Sequence, residues 1–279
     1  MAKRKKHWTE EKIKKYQKEG RGQGEYSEYM PWLKIQDVPS NGNSTRIKGW
    51  KTNRQHEFFS NLERDYFFLL DWSEDVQDIR ELFPLDREIT LSISEQKNIP
   101  HPMDPTTKTP IVMTTDFLIT LKDKNKLVTL ARTIKPSEVL DNKRVIEKFE
   151  IEREYWVRQN VNWGIVTEKE IPNNYVKNIQ WLHKFYFLDD KMEYLFSQQF
   201  LKLLITNAKN EQRIIELCNE FDEFYQLDTG SGIIYLKYLL ARKLVSIDMQ
   251  KKINIRGLKI NDIKVNFSLV GENVDNIIG

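Results

Sequence analysis

The chain has 279 residues and almost no cysteine. A lone Cys218 excludes an internal disulfide and any thiolate zinc site, and it reads as a small core residue of a helix. Histidine is scarce too: there are four, none at H-x-x-x-H spacing. A bound metal is therefore expected on oxygen ligands, which suits Mg²⁺, with Mn²⁺ as a substitute. No apolar run approaches the roughly 18–20 residues of a membrane span. The basic start Met1-Ala-Lys-Arg-Lys-Lys6 is not followed by the apolar stretch of a secretory signal. These absences predict a soluble, non-secreted protein with no membrane partner. No internal repeat is visible, so repeat architectures are excluded as well.

Excess charge of one sign is small, at +3 overall, but it is unevenly placed. Residues 1–25 hold nine Lys/Arg against four Asp/Glu, a net +5. Residues 26–170 carry −3 and residues 171–279 carry +1. The first 25 residues are therefore read as a basic N-terminal arm. Lys3, Arg4, Lys5 and Lys6 are its candidate phosphate contacts, and the alternative is a solvated terminus.

What the chain does have is a hairpin with chemistry at its base. Residues 111–121 are mostly β-branched, aromatic or Leu, and residues 127–134 repeat Leu, Val, Thr and Ile. Between them lies the polar turn Lys122-Asp-Lys-Asn-Lys126. A turn centred near Lys124 and Asn125 sets residue 116 opposite residue 133. Alternation then puts Asp116, Thr133 and Lys135 on one sheet face. A carboxylate beside an ammonium is what metal-dependent nucleases need: the acid holds the ion, and the lysine steadies charge on the phosphate or orients water. The competing reading is a surface cross-strand ion pair, worth little to stability. The middle acid of a D-x(n)-[DE]-x-K pattern is absent, because Thr133 stands in its place. A second carboxylate, Glu63, sits early in a helical stripe formed by residues 59, 62, 66, 69 and 70. It is either a further metal ligand or half of a capping box with Ser60.

Around these residues the order reads helix, strand (76–85), hairpin, charged helix (142–156), strand (162–167). A polar loop with Pro100, Pro102 and Pro105 is expected to lead into the hairpin. This is an αβββαβ layout, an α/β domain of restriction-endonuclease-like fold over residues 26–170. Residues 171–279 read as mainly α, with helices over 173–181, 191–204 and 211–225. A helix capped by Ser231 or Thr229 follows, then strands at 245–248 and 253–255. That ending is winged-helix-like, and it makes Lys251 and Lys252 candidate DNA contacts.

Seven segments in matching order carry a family resemblance. They are Glu19-Gly-Arg-Gly-Gln-Gly24, Pro31-Trp32, Asp78-Ile-Arg-Glu81 with Phe83-Pro-Leu85, Thr115-Asp-Phe-Leu118, Ile134-Lys-Pro136, Glu152-Arg153 with Tyr155-Trp156, and Thr167-Glu-Lys-Glu-Ile171. The chain resembles the TnsA family, the endonuclease subunits of heteromeric cut-and-paste transposases. The resemblance implies a restriction-endonuclease-like domain that cuts the 5′ strands at transposon ends on double-stranded DNA. A TnsB-like DDE transposase would cut the 3′ strands, and a TnsC-like AAA+ regulator would contact the C-terminal domain. It further implies a site for one or two Mg²⁺ ions at Glu63, Asp116, Thr133 and Lys135, with the main chain of Ile134 as a further ligand. It implies a bacterial cytoplasmic location, at the nucleoid when active. Two other functions remain open: a catalytically inactive adaptor bridging DNA and partners, and a stand-alone restriction or repair nuclease.

Overall fold

A computed structural model of the chain describes residues 7–37, 43–124, 126–188 and 190–269. It divides into two compact units, Met1–Ile171 and Pro172–Gly279.

The first unit is built on a four-stranded sheet of order β3-β4-β5-β6. Its strands are β3 (Val76–Pro84), β4 (Thr114–Asp123), β5 (Lys126–Ile134) and β6 (Asn162–Val166). β3, β4 and β5 pair antiparallel, and β6 lies parallel to β5. Parallel pairing needs a crossover, which α4 (Lys143–Arg158) supplies. The hairpin register runs from Phe117↔Arg132 to Asp123↔Lys126, so its continuation sets Asp116 opposite Thr133. Alternation divides the sheet between two helices. Phe117 packs against Tyr66 of α2 (Asn61–Trp72), with ring centroids 5.6 Å apart. Leu118 and Ala131, of the opposite parity, join Ile151, Tyr155 and Trp156 of α4 in one core cluster. The order α2, β3, β4–β5, α4, β6 matches the expected αβββαβ sequence and is compatible with an endonuclease-like core.

In the first unit three stretches differ from the sequence reading. Residues 87–96 form α3 (Arg87–Gln96), not loop, and its first turn is capped by Asp86, whose carboxylate accepts the Ile89 amide. Ile93 and Thr90 supply its buried face, but the Thr and Ser content and the prolines that follow conceal the helical period. Residues 45–58 form a hairpin, β1 (Thr45–Lys48) with β2 (Gln55–Phe58). These strands are too short and polar to declare themselves by alternation. The described part of the basic arm is folded: α1 (Glu10–Lys18) is capped by Thr9 and buries Ile13 and Tyr16 with Trp32. Lys12 stacks over the Trp8 ring at 4.4 Å. Arg21 lies 3.5 Å over Tyr16 and donates to the Trp32 carbonyl. Gly22, at φ +79°, leaves no room for a side chain, since a Cβ there would meet Pro84 Cγ at 2.2 Å. Lys3, Arg4, Lys5 and Lys6 lie outside the described residues.

The β1–β2 hairpin is tied to β3 by a buried ionic network. Arg54 donates from Nη1 to Glu81 Oε1 at 2.8 Å, from Nη2 to Oε2, and also to the Ile79 carbonyl. His56 Nδ1 lies 2.8 Å from Glu81 Oε2. Burial opposes the Glu81 charge, but His56 and Arg54 outweigh it and hold the carboxyl far below its usual range.

The second unit is mainly helical: α5 (Asn173–His183), α6 (Lys191–Thr206), α7 (Ile214–Tyr225) and α8 (Ser231–Ala241). The cap of α8 is neither Ser231 nor Thr229. Gly230 occupies it at φ +98°, and the buried Asp222 carboxylate of α7 accepts the Gly230 and Gly232 amides, each at 2.7 Å. β7 (Val245–Ser246) pairs with β8 (Lys264–Val265), so the second strand comes after 253–255 and not at it. Ile253 instead donates its amide to Asn178 Oδ1, which draws this stretch onto α5.

Removing Glu81 should strand a buried guanidinium. Glu81→Ala is expected to destabilise the protein by about 3–5 kcal/mol in urea unfolding. Because the folded pKa is depressed, the wild-type advantage should be full above the ordinary Glu value of 4.5 and fade as pH falls below it. A loss that does not change with pH would contradict the assignment.

Candidate active site

β4 and β5 bring Asp116 and Lys135 into contact at the open end of the hairpin. Asp116 Oδ2 accepts the Ile134 amide at 2.7 Å and the Lys135 ammonium at 2.9 Å. β5 therefore fixes one carboxylate oxygen through its main chain and its next side chain. No donor among the described residues reaches Oδ1. Asp116 is 8% exposed, whereas the Lys135 side chain is 35% exposed. This is not a solvated surface pair. Burial works against the ammonium, but Asp116, followed by Glu63 and Glu152, raises its pKa above the ordinary value. Lys135 is thus a standing cation and donor. Ile134 itself is buried, with its amide on Asp116.

At Glu63 the Ser60 hydroxyl caps α2 as the capping-box reading expects, but the return bond goes to the Phe59 amide and not to that of Ser60. Ser60 Oγ accepts the Glu63 amide at 3.1 Å and donates to Glu63 Oε1 at 2.9 Å, while the Phe59 amide donates to Oε2 at 3.0 Å. The capping interaction fixes both oxygens and leaves lone pairs on each. The carboxylate also lies within electrostatic reach of Asp116. Burial and then Asp116 push its pKa up to about 7, against the Phe59 amide, Lys135 and Ser60.

Thr133 lies at the expected place on β5, bonded to a further acid. Its hydroxyl donates to Glu152 Oε1, a carboxylate of α4. Glu152 Oε1 also accepts Thr115 Oγ1 at 2.7 Å and Trp163 Nε1 at 3.1 Å. Thr115 in turn accepts Trp156 Nε1 at 2.7 Å. Glu152 is buried, and burial, with Asp116 adding to it, raises its pKa to about 7 despite the Thr133, Thr115 and Trp163 donors. The sequence reading gave this residue no role, because α4 also carries Glu147, Glu150 and Glu154. The available signal was position: Val145, Phe149 and Trp156 mark the buried stripe, and Glu152 falls on it, three residues after Phe149 and four before Trp156.

The Lys135 ammonium therefore touches Asp116 and lies within electrostatic reach of two further buried carboxylates, Glu63 and Glu152. Among the described residues no three His, Cys, Asp or Glu side chains form a ready metal cage. The donors present are all oxygens, Asp116 keeps a free oxygen, and negative groups outnumber positive ones. That set fits a hard divalent cation of the Mg²⁺ type, which binds through one or two carboxylates and completes its shell with water and substrate phosphate. Elsewhere, Lys251 is exposed and pairs with Asp248 at 3.3 Å, and Lys252 lies exposed beside it. No helix among the described residues is long and apolar enough to cross a membrane.

Residues 73–168 match the family described as TnsA-like endonuclease N terminal, and residues 170–249 match TnsA endonuclease C terminal. The first match spans Asp116, Thr133, Lys135, Glu152 and Trp163, and begins after Glu63. Over 263 residues the chain is 36% identical to the transposon Tn7 transposition protein TnsA of Escherichia coli, covering 94% of each.

The raised Glu63 pKa has a signed consequence. A carboxyl that titrates higher in the folded state stabilises most below its unfolded value of 4.5 and loses that contribution as pH rises to about 7. In metal-free buffer, wild-type stability measured against Glu63→Gln should therefore decline across that window and level off above it. A difference that is flat with pH would mean that Glu63 is not held in this crowded environment.

Proposed function

We propose that this chain, which belongs to the TnsA family, is the transposon-end endonuclease that cuts the 5′ strands by metal-dependent hydrolysis of the phosphodiester. It acts with a TnsB-like DDE transposase and a TnsC-like AAA+ regulator. The observation that carries this reading is the cluster of Asp116, Glu63 and Glu152 about a single cation, Lys135. A buried group of acids with too little positive charge is poor material for stability and good material for gathering a metal and a phosphate.

Asp116 and Glu63 are the side chains that would hold Mg²⁺, with the Ile134 carbonyl as the main-chain candidate and Mn²⁺ as a substitute. The ion supplies Lewis acidity at the scissile phosphate and a more acidic water. The chain's own groups do the rest. Asp116 Oδ2 is pinned by β5, so its other oxygen is presented in a fixed orientation. Ser60 and Phe59 hold Glu63 in place at the start of α2. Lys135 keeps its proton and offers N–H donors to the charge that builds on the phosphoryl oxygens, and it is not the base. Water forms the new P–O bond and the P–O3′ bond breaks, leaving 5′-phosphate and 3′-hydroxyl ends.

Thr133, expected as a ligand, is read here as a support for Glu152, to which its hydroxyl donates. The acid missing from β5 is thereby replaced from α4. This weakens the adaptor reading, which rested on that missing acid. With no preformed cage, metal affinity should be low until DNA adds its phosphate, so the isolated subunit should cut poorly. The modest net charge of +3 suits a protein that shares its DNA affinity with partners.

The test is strand-resolved cleavage of end DNA by the chain with its TnsB-like partner, with and without Mg²⁺. Asp116→Ala should reduce only the 5′-strand nick, on the order of 100-fold or more. An unchanged nick would make the chain an adaptor. Strong Mg²⁺-dependent cutting by the purified chain alone would make it a stand-alone nuclease.

A further inference from the structure

The Glu152 carboxylate is held unevenly. All three of its hydrogen bonds, from Thr115, Thr133 and Trp163, end on Oε1. Among the described residues none reaches Oε2. Oε2 is not among the fully buried polar atoms that lack a partner, so this oxygen keeps some access to solvent, the side from which a cation would come. The donors share a second property: each is neutral. A hydroxyl or an indole N–H can fix the orientation of a carboxylate without cancelling its charge, whereas Arg or Lys in the same place would neutralise it. Glu81 shows the contrast in the same unit, with its two oxygens taken by Arg54 and His56.

Trp163 has the widest reach of the three. Its Nε1 lies 3.1 Å from Glu152 Oε1 and 3.2 Å from Thr133 Oγ1, so one N–H braces both members of the contact. The indole can only donate and does not itself ionise. Its position comes from β6, where Trp163 pairs with Ala131 of β5, two residues before Thr133. Its ring rests 6.3 Å from that of Phe149 on α4, the helix that carries Glu152. β5, β6 and α4 therefore meet at this side chain.

We propose that Trp163 is a positioning residue which, with Thr133, aims the unbonded oxygen of Glu152 at the cation site of Asp116, in place of the acid that β5 lacks. The proposal rests on the metal-dependent reading above and adds the device that sets the third carboxylate. Its chemistry is that of a hydrogen-bond donor behind a metal-directed carboxylate. Removing such support typically weakens metal binding by about 10–100-fold.

The experiment is an Mn²⁺ titration of the full chain in the presence of end DNA, read by the paramagnetic resonance of the free ion, with thermal unfolding recorded in parallel. Trp163→Phe keeps the ring and removes the N–H. It should bind Mn²⁺ roughly ten-fold more weakly while melting close to wild type, and excess Mn²⁺ should restore its 5′-strand nicking. A second pair guards against misfolding. Thr133→Ser keeps the hydroxyl and should bind as wild type, and Thr133→Val loses it and should bind weakly. Wild-type Mn²⁺ affinity in Trp163→Phe, or equal affinity in the two Thr133 variants, overturns the proposal. The two levels separate cleanly. If Asp116→Ala abolishes Mn²⁺ binding and Trp163→Phe does not affect it, only the positioning role fails. If Asp116→Ala leaves binding intact, the metal reading fails as well.

Discussion

A local shortage of positive charge governs the candidate site. Asp116 lies within electrostatic reach of both Glu63 and Glu152, and Lys135 is the cation that meets all three. Desolvation and mutual repulsion leave Glu63 and Glu152 titrating near 7. The surrounding architecture exists to hold that arrangement. The hairpin register sets Asp116 against the end of β5, a serine cap locks Glu63 into the first turn of α2, and the buried stripe of α4 delivers Glu152. Relief can come from a proton or from a cation, and the free oxygen of Asp116 favours the cation.

The same unit contains a buried acid treated in the opposite way. Glu81 is enclosed more completely than Glu63, yet it titrates far below its usual range because Arg54 and His56 neutralise it. It ties the β1–β2 hairpin to the sheet and has no capacity left for a ligand. Two buried carboxylate clusters on one scaffold, one neutralised and one not, separate structural from functional burial by charge balance. Burial alone would not distinguish them.

How much of this the sequence revealed follows from which forces are local. Alternation and turn chemistry located β4 and β5 and placed Asp116 across from Thr133, because register depends on residues close in sequence. The Ser60-x-x-Glu63 spacing announced the α2 cap for the same reason. Non-local features stayed hidden. α3 is a weakly patterned helix that gains its stability by packing on α4. β1 and β2 are held by Glu81, more than twenty residues away. The N-terminal segment read as a charged arm, yet Ile13, Tyr16 and Trp8 give it a face that folds onto Trp32. Glu152 was visible as part of a family-matching segment and of the buried stripe of a charged helix, with no role attached. Its importance appears once three neutral donors from two strands are seen to converge on it. At the other end, the strand expected at 253–255 does not form: Ile253 bonds to Asn178, and β7 pairs with β8 instead.

The central claim is that this charge shortage is a cation site, and diffraction answers it most directly. Crystals of the chain with end DNA, soaked in Mn²⁺ and measured at the manganese edge, should show an anomalous peak touching Asp116 and Glu63. No peak there at saturating Mn²⁺, with the carboxylates ordered as described, would contradict the account and leave the cluster to protons alone.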